Sequence, residues 1–129
     1  RSDLLELVRR ACTPGGLAGA ELAWAPETAV TVVLASAGYP GTVRTGDPIT
    51  GLEDAAARAE VTHAGTARRD DGAIVTAGGR VLNVTALGAD AASARAAAYA
   101  AADLIAFDGR QLRRDIALRA VQSDPGSPA

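Results

Sequence analysis

The sequence predicts an α+β domain, a small antiparallel sheet with a long helix packed on it. Three observations carry this expectation. Val30-Thr31-Val32-Val33-Leu34, within Ala29 to Ala35, is a β-branched run typical of a buried strand. Ala73–Thr76 and Arg80–Leu87 flank Ala77-Gly78-Gly79, which predicts a hairpin whose glycines supply positive φ. Asp90–Ile105 is rich in alanine and other good helix formers. Strands grouped in antiparallel hairpins, followed by a helix, favour α+β over a doubly wound parallel fold.

The elements follow in chain order. Ser2–Cys12 reads as a short helix, with Ser2 as its cap, Asp3 and Glu6 near its positive end and Arg9 and Arg10 in its last turn. Leu4, Leu5, Val8, Ala11 and Cys12 form an apolar stripe at helical spacing, which casts Cys12 as a buried small hydrophobe. Pro14-Gly15-Gly16 ends the helix. Glu21–Trp24 reads as a short strand whose alternating Leu22 and Trp24 pack at a core or an edge. Gly38-Tyr39-Pro40-Gly41 and Gly46-Asp47-Pro48 are loops, and Ile49–Leu52 leads into a short polar or helical stretch. Val61–Ala64 is a strand and Arg69–Gly72 a turn. Within the long helix, Ala94, Ala98, Ala101 and Ile105 recur on the face expected to meet the sheet. Phe107-Asp108-Gly109 turns the chain into a short helix over Asp115–Val121, and Ser123–Ala129 is a polar tail expected to be disordered.

Composition closes off several functions. The chain has 129 residues, enough for one core, and 48% of them are apolar. Only 3% are aromatic, so Val, Leu and Ile must supply the buried area. The net charge is −2, and the doublets Arg9–Arg10, Arg68–Arg69 and Arg113–Arg114 are scattered among acids, the pattern of solvated surface rather than a nucleic-acid stripe. Every basic residue is Arg. The absence of Lys removes Schiff-base chemistry, a phosphate-loop lysine and an attachment lysine for biotin or lipoate. One cysteine forbids an internal disulfide, and a single histidine, His63, forbids a Cys/His zinc site. With neither a membrane-length apolar run nor a signal peptide, a cytoplasmic location is expected.

A series of short strings then carries a resemblance. Ala35-Ser36-Ala37-Gly38-Tyr39-Pro40-Gly41 is similar to the AS-x-GYPG loop of phosphoribosylamine–glycine ligases. Gly46–Leu52, His63-Ala64-Gly65-Thr66 and Gly78-Gly79-Arg80-Val81-Leu82 resemble their GD-x-ITGL, HAGT and GGRVL strings. Val84–Gly88 follows, and Phe107 with Arg113–Ile116 is similar to their F-x-G…RRDI. Arg1–Leu5 looks like the end of their RL-[KR]-SDL segment. The strings keep the family's order and spacing over roughly residues 1–121, and Asn83 departs from a position where many relatives carry glycine.

The resemblance implies a division of the chain and a reaction. Residues 1–20 would close the ATP-grasp region, 21–121 would form the ligase C-terminal domain and 122–129 a disordered tail. The chain, starting at Arg1, is expected to be a fragment that is inactive alone. The complete enzyme would join glycine to 5-phosphoribosylamine, using ATP and Mg2+ or Mn2+, and give glycinamide ribonucleotide, ADP and phosphate. The ligands of ATP and metal would precede Arg1, in missing N-terminal and ATP-grasp domains. No catalytic group and no metal ligand is expected here, and neither a nucleic acid nor a membrane is an expected partner. Two other readings stand beside this one: a free-standing phosphosugar-binding module, and a domain that docks on a separate ATP-grasp subunit.

Site candidates are weighed on both grounds. Read from residues alone, Gly78-Gly79-Arg80 is a plain turn with a solvated Arg. The resemblance shifts it to a substrate site in which Arg80 holds the ribose 5-phosphate, since glycines permit close approach and guanidinium forks fit phosphate. His63 is balanced between touching substrate, as a hydrogen-bonding or acid–base group, and bonding nearby backbone. Tyr39 with Pro40 reads as a structural loop, with a site wall as the alternative. Arg114 and Asp115 form a charge pair locking the C-terminal segment, or a site wall. Arg1 lies beside the segment expected to bind metal and is a candidate to face the substrate or to serve structure.

Overall fold

The computed structural model describes residues 1–123. Its elements are α1 (Leu4–Ala11), β1 (Thr28–Ala35), α2 (Leu52–Ala56), β2 (Glu60–His63), β3 (Thr66–Arg68), β4 (Ile74–Thr76), β5 (Arg80–Gly88), α3 (Ala91–Ala102) and α4 (Leu118–Ser123). The main sheet is antiparallel, in the order β1-β5-β2, and β3-β4 form a separate two-stranded sheet. The α+β expectation is met.

Alternation along β1 and β5 builds the core. Val30, Val32 and Leu34 face inward from β1, and Leu82, Val84 and Ala86 from β5. Helix α3 covers that face with Ala94, Ala98, Ala101 and Ala102, and Ile105 follows it into the core. Asp90 caps α3 by accepting from the Ser93 amide at 2.7 Å, while Ser93 Oγ accepts from the Asp90 amide at 3.2 Å. Arg110 closes the far end, donating to the carbonyls of Ala102 and Ile105. Among the described residues, two polar side chains are buried in the core, Ser36 and Thr76, and both are satisfied. Ser36 Oγ donates to Gly78 O at 2.8 Å, and Thr76 Oγ1 accepts from the Asp47 amide at 3.1 Å.

The predicted hairpin does not form. β4 pairs with β3, whereas β5 pairs with β1 and β2, so Ala77-Gly78-Gly79 carries the chain from one sheet to the other. Distant backbone holds this crossing. The Ser36 amide donates to Gly79 O, Gly65 N to Arg80 O, and Ala77 N to Gly65 O. Neither Gly78 nor Gly79 takes positive φ. Their lack of a side chain serves close approach instead. A Cβ on Gly65 would lie 2.8 Å from Gly78 Cα, and one on Gly79 would lie 2.5 Å from the Tyr39 ring.

Residues 1–27 depart from expectation in four ways. Asp3, not Ser2, caps α1 by accepting from the Glu6 amide at 3.0 Å, because Ser2 Oγ is engaged with the Ala23 amide at 2.7 Å. Glu21–Trp24 is not a strand. Cys12 and Trp24 are exposed rather than buried. No residue of α1 is buried, although its apolar stripe is present, so Leu4, Leu5 and Val8 face outward with Trp24, which is 79% exposed. At the other end, α4 includes Gln122 and Ser123, and the rest of the expected tail lies outside the described residues. No helix among the described residues is long and apolar enough to cross a membrane.

The C-terminal segment is pinned to the end of α3 by charge. Arg114 donates to both oxygens of Asp103, at 2.8 and 3.0 Å, and Arg110 approaches the same carboxylate at 3.5 Å. The Arg114 bonds hold the Asp103 carboxyl below the usual aspartate range, against a smaller opposing effect of burial. Its folded pKa is depressed, so its stabilisation is present above the unfolded value near pH ~4 and is lost as pH falls through the folded value. Asp103→Asn should therefore lower the melting temperature at neutral pH, and the gap to the parent should close under acid. Thermal melts of both proteins from about pH 6 to about pH 2 check this.

Candidate functional site

Three loops that lie far apart in sequence meet at one end of the main sheet. Gly38-Tyr39-Pro40-Gly41 follows β1, Ala64-Gly65 follows β2, and Ala77-Gly78-Gly79 precedes β5. The bonds of Ser36 and Gly65 to the glycine crossing fix them together. Tyr39 and Pro40 are joined by a cis peptide, and the Tyr39 ring lies against Gly79.

Beside this junction the uncovered face of the sheet forms one side of a cleft of about 500 Å³. The inward set of β1 leaves Thr31 and Val33 on the opposite face, where they line the cleft. Ala35 pairs with Arg80 past a register shift in β1, and both residues also line it. Tyr39 and Pro40 form one wall, and Gln111, Leu112, Arg113 and Ile116 from the C-terminal segment form the other. A bridge between Ala35 and Gln111 attaches that segment to the edge of β1.

Most of the lining is apolar, and its charge comes from two arginines. Arg113 is matched by Asp115: its Nε donates to Oδ1 at 2.9 Å and its Nη2 to Oδ2. Asp115 is held below the ordinary carboxylate range chiefly by that hydrogen bonding. Arg80 is exposed and, among the described residues, makes no side-chain hydrogen bond or ion pair. The cleft thus carries one uncompensated positive charge at its glycine-rich end, which suits an anion with an apolar or flat body behind it.

The sequence-predicted residues divide accordingly. Arg80 and Tyr39 share the cleft, and Gly78 and Gly79 form the backbone behind Arg80. His63 ends β2, on the far side of β5 from β1 and outside the cleft lining. Its Nδ1 is 2.9 Å from Thr66 Oγ1, so its partner is a neighbouring side chain rather than backbone. Arg114 and Asp115 do not pair with each other; Arg114 takes Asp103, and Asp115 takes Arg113. Arg1 is held through its backbone nitrogen by Ala23 O and takes no part in the cleft. Sequence reasoning offered Arg114 and Asp115 as a site wall; their segment does form one, but through Gln111, Leu112, Arg113 and Ile116. The Arg113–Ile116 string marked the segment without showing that it returns to the edge of β1. Among the described residues no group of His, Cys, Asp or Glu is placed to hold a metal ion, so the donor set here does not fit a magnesium or manganese site.

Comparison with known proteins follows the same outline. A family profile described as phosphoribosylglycinamide synthetase, C domain, matches residues 29–119. A phosphoribosylamine–glycine ligase from Streptomyces coelicolor is 54% identical over 125 residues, covering 93% of this chain and 30% of that protein. One from Mycobacterium tuberculosis is 50% identical over 122 residues, covering 94% of this chain and 28% of that protein. The crystal structure of a phosphoribosylamine–glycine ligase from Thermotoga maritima superposes with a TM-score of 0.67 at 37% identity, over 80% of this chain and 26% of that one. The chain therefore spans less than a third of the length of these relatives.

Proposed function

The chain belongs to the phosphoribosylglycinamide synthetase C-domain family, and from that premise we propose that it is the C-terminal part of a cytoplasmic ligase of purine synthesis. The complete enzyme joins the carboxylate of glycine to the amine of 5-phosphoribosylamine, with cleavage of ATP to ADP and phosphate. The ATP-grasp region supplies the groups that hold ATP and its metal, and those groups lie outside this chain. Residues 1–20 are the end of that region, which accounts for an α1 whose apolar face (Leu4, Leu5, Val8) finds no partner among the described residues. Residues 21–121 are the C-terminal domain proper, and 122–129 its tail.

Within that enzyme the chain positions substrate rather than performing a bond-making step. Arg80 binds the ribose 5-phosphate through its guanidinium fork, and Tyr39, Pro40 and the Leu112–Ile116 wall shield the sugar from water. Gly79 lets the Tyr39 ring close on the backbone before Arg80, and Gly78 lets Gly65 approach it. His63, bonded to Thr66, lies outside this cleft and serves the loop junction rather than the phosphosugar. The observation that carries this reading is that Arg80 is the one cleft cation without a carboxylate, among the described residues.

Exposure of the α1 face keeps a second reading in view, a domain that docks on a separate ATP-grasp subunit. A purine auxotroph lacking the ligase separates the two. Growth is expected when the ATP-grasp portion and this chain are supplied as one polypeptide, and not when the chain is omitted. Full growth with two separately expressed pieces would favour the docking subunit.

A further inference from the structure

One wall of the cleft has no secondary structure of its own and depends on two side chains of α3. Tyr99 is almost fully buried, and its hydroxyl donates to Arg113 O at 2.6 Å while accepting from the Ile116 amide at 3.2 Å. Arg95, one turn earlier, stacks on the Tyr99 ring at 4.6 Å. It donates through Nε to Ile116 O at 2.9 Å and through Nη2 to Arg114 O. These four bonds hold the backbone of the segment whose side chains face Tyr39 and Arg80 across the cleft.

We infer that Tyr99 and Arg95 are positioning residues for the phosphosugar site, setting its width from behind by fixing the 113–116 backbone. The inference rests on the reading of the cleft as the phosphoribosylamine site. Neither residue lines the cleft, so neither touches the substrate; each acts through the segment it holds. Helix α3 is anchored by its capping box and by Ala94, Ala98, Ala101 and Ala102 in the core, so it offers a rigid base for both.

The test compares steady-state kinetics of Tyr99→Phe and Arg95→Met in the full-length ligase carrying this chain. Phenylalanine keeps the ring and its packing but removes both hydroxyl bonds; methionine keeps a long stem but removes two donors. Each variant should raise KM for phosphoribosylamine about fivefold, with kcat and the KM values for ATP and glycine nearly unchanged. Arg80→Ala is measured alongside. If Arg80→Ala raises that KM while both α3 variants leave it alone, the positioning role is wrong and the cleft reading stands. If none of the three moves it, the cleft reading fails, and the inference falls with it. A uniform loss in all substrates, with a lowered melting temperature in both α3 variants, would make them structural residues only and overturn the inference. The arginine variant keeps the test decisive should Tyr99→Phe fold poorly.

Discussion

Arg80→Ala in the complete ligase is expected to raise KM for phosphoribosylamine roughly ten- to a hundredfold while leaving the KM for ATP near its parent value. The magnitude follows from a hydrogen bond to a charged group, which contributes about 1.5–3 kcal/mol, with tenfold for each ~1.4 kcal/mol. Arg80 has no other side-chain bond among the described residues, so its removal should leave the fold intact. Kinetics at saturating ATP and glycine measure the first quantity, and a thermal melt measures the second. Lysine at the same position should recover part of the affinity, since it keeps the charge and loses the fork. Arg113→Ala is a useful contrast. It removes a cation already matched by Asp115, so its effect on the same KM should be smaller.

Leu82→Ala should destabilise the domain by about 2–5 kcal/mol, a large share of the total stability of a domain this size. Leu82 is fully buried near the start of β5, the middle strand of the main sheet, opposite Leu34 in β1 and His63 in β2. The facing helix presents alanines, which cannot reach into the space a missing isobutyl group would leave. Few large side chains share the load, because the fully buried set is led by Leu34, Leu82 and Ile105 with three valines. Urea unfolding measures the loss. The exposed Leu87 in the same strand, 62% accessible, provides the control, and Leu87→Ala should be nearly silent.

The two predictions rest on parts of the chain that differed in how far they could be read. β1 and α3 were legible because burial on one face writes a β-branched or helical pattern into the sequence itself. Ala94, Ala98, Ala101 and Ile105 face the sheet as their spacing requires. The glycine crossing was misread because two glycines between apolar runs signal a tight turn and a close backbone crossing equally well. Ser36 and Gly65, distant in sequence, decide between them. The Arg114–Asp115 pairing failed for a local reason. The adjacent pair does not meet, because the backbone at Arg114 bends. Arg113 therefore meets Asp115, and Arg114 turns to Asp103 on the end of α3. Trp24, Cys12 and the α1 stripe show the reverse case. Their pattern is that of buried residues, yet all of them are exposed.

At the site, the family strings located Arg80, the two glycines and Tyr39, which the fold brings into contact or into one cleft. They offered Arg114 and Asp115 as a wall but not the residues that line it or what holds it, because the Tyr99 hydroxyl and the Arg95 guanidinium act on backbone atoms. A tyrosine in an alanine-rich helix gives no sign of the segment it will bind.

The most direct measurement is a crystal structure of the complete ligase bound to glycinamide ribonucleotide. The account predicts the 5-phosphate within hydrogen-bonding distance of the Arg80 guanidinium, with the ribose between Tyr39 and the Leu112–Ile116 wall. A ribonucleotide bound with its phosphate on other residues, and Arg80 left in solvent, would contradict it.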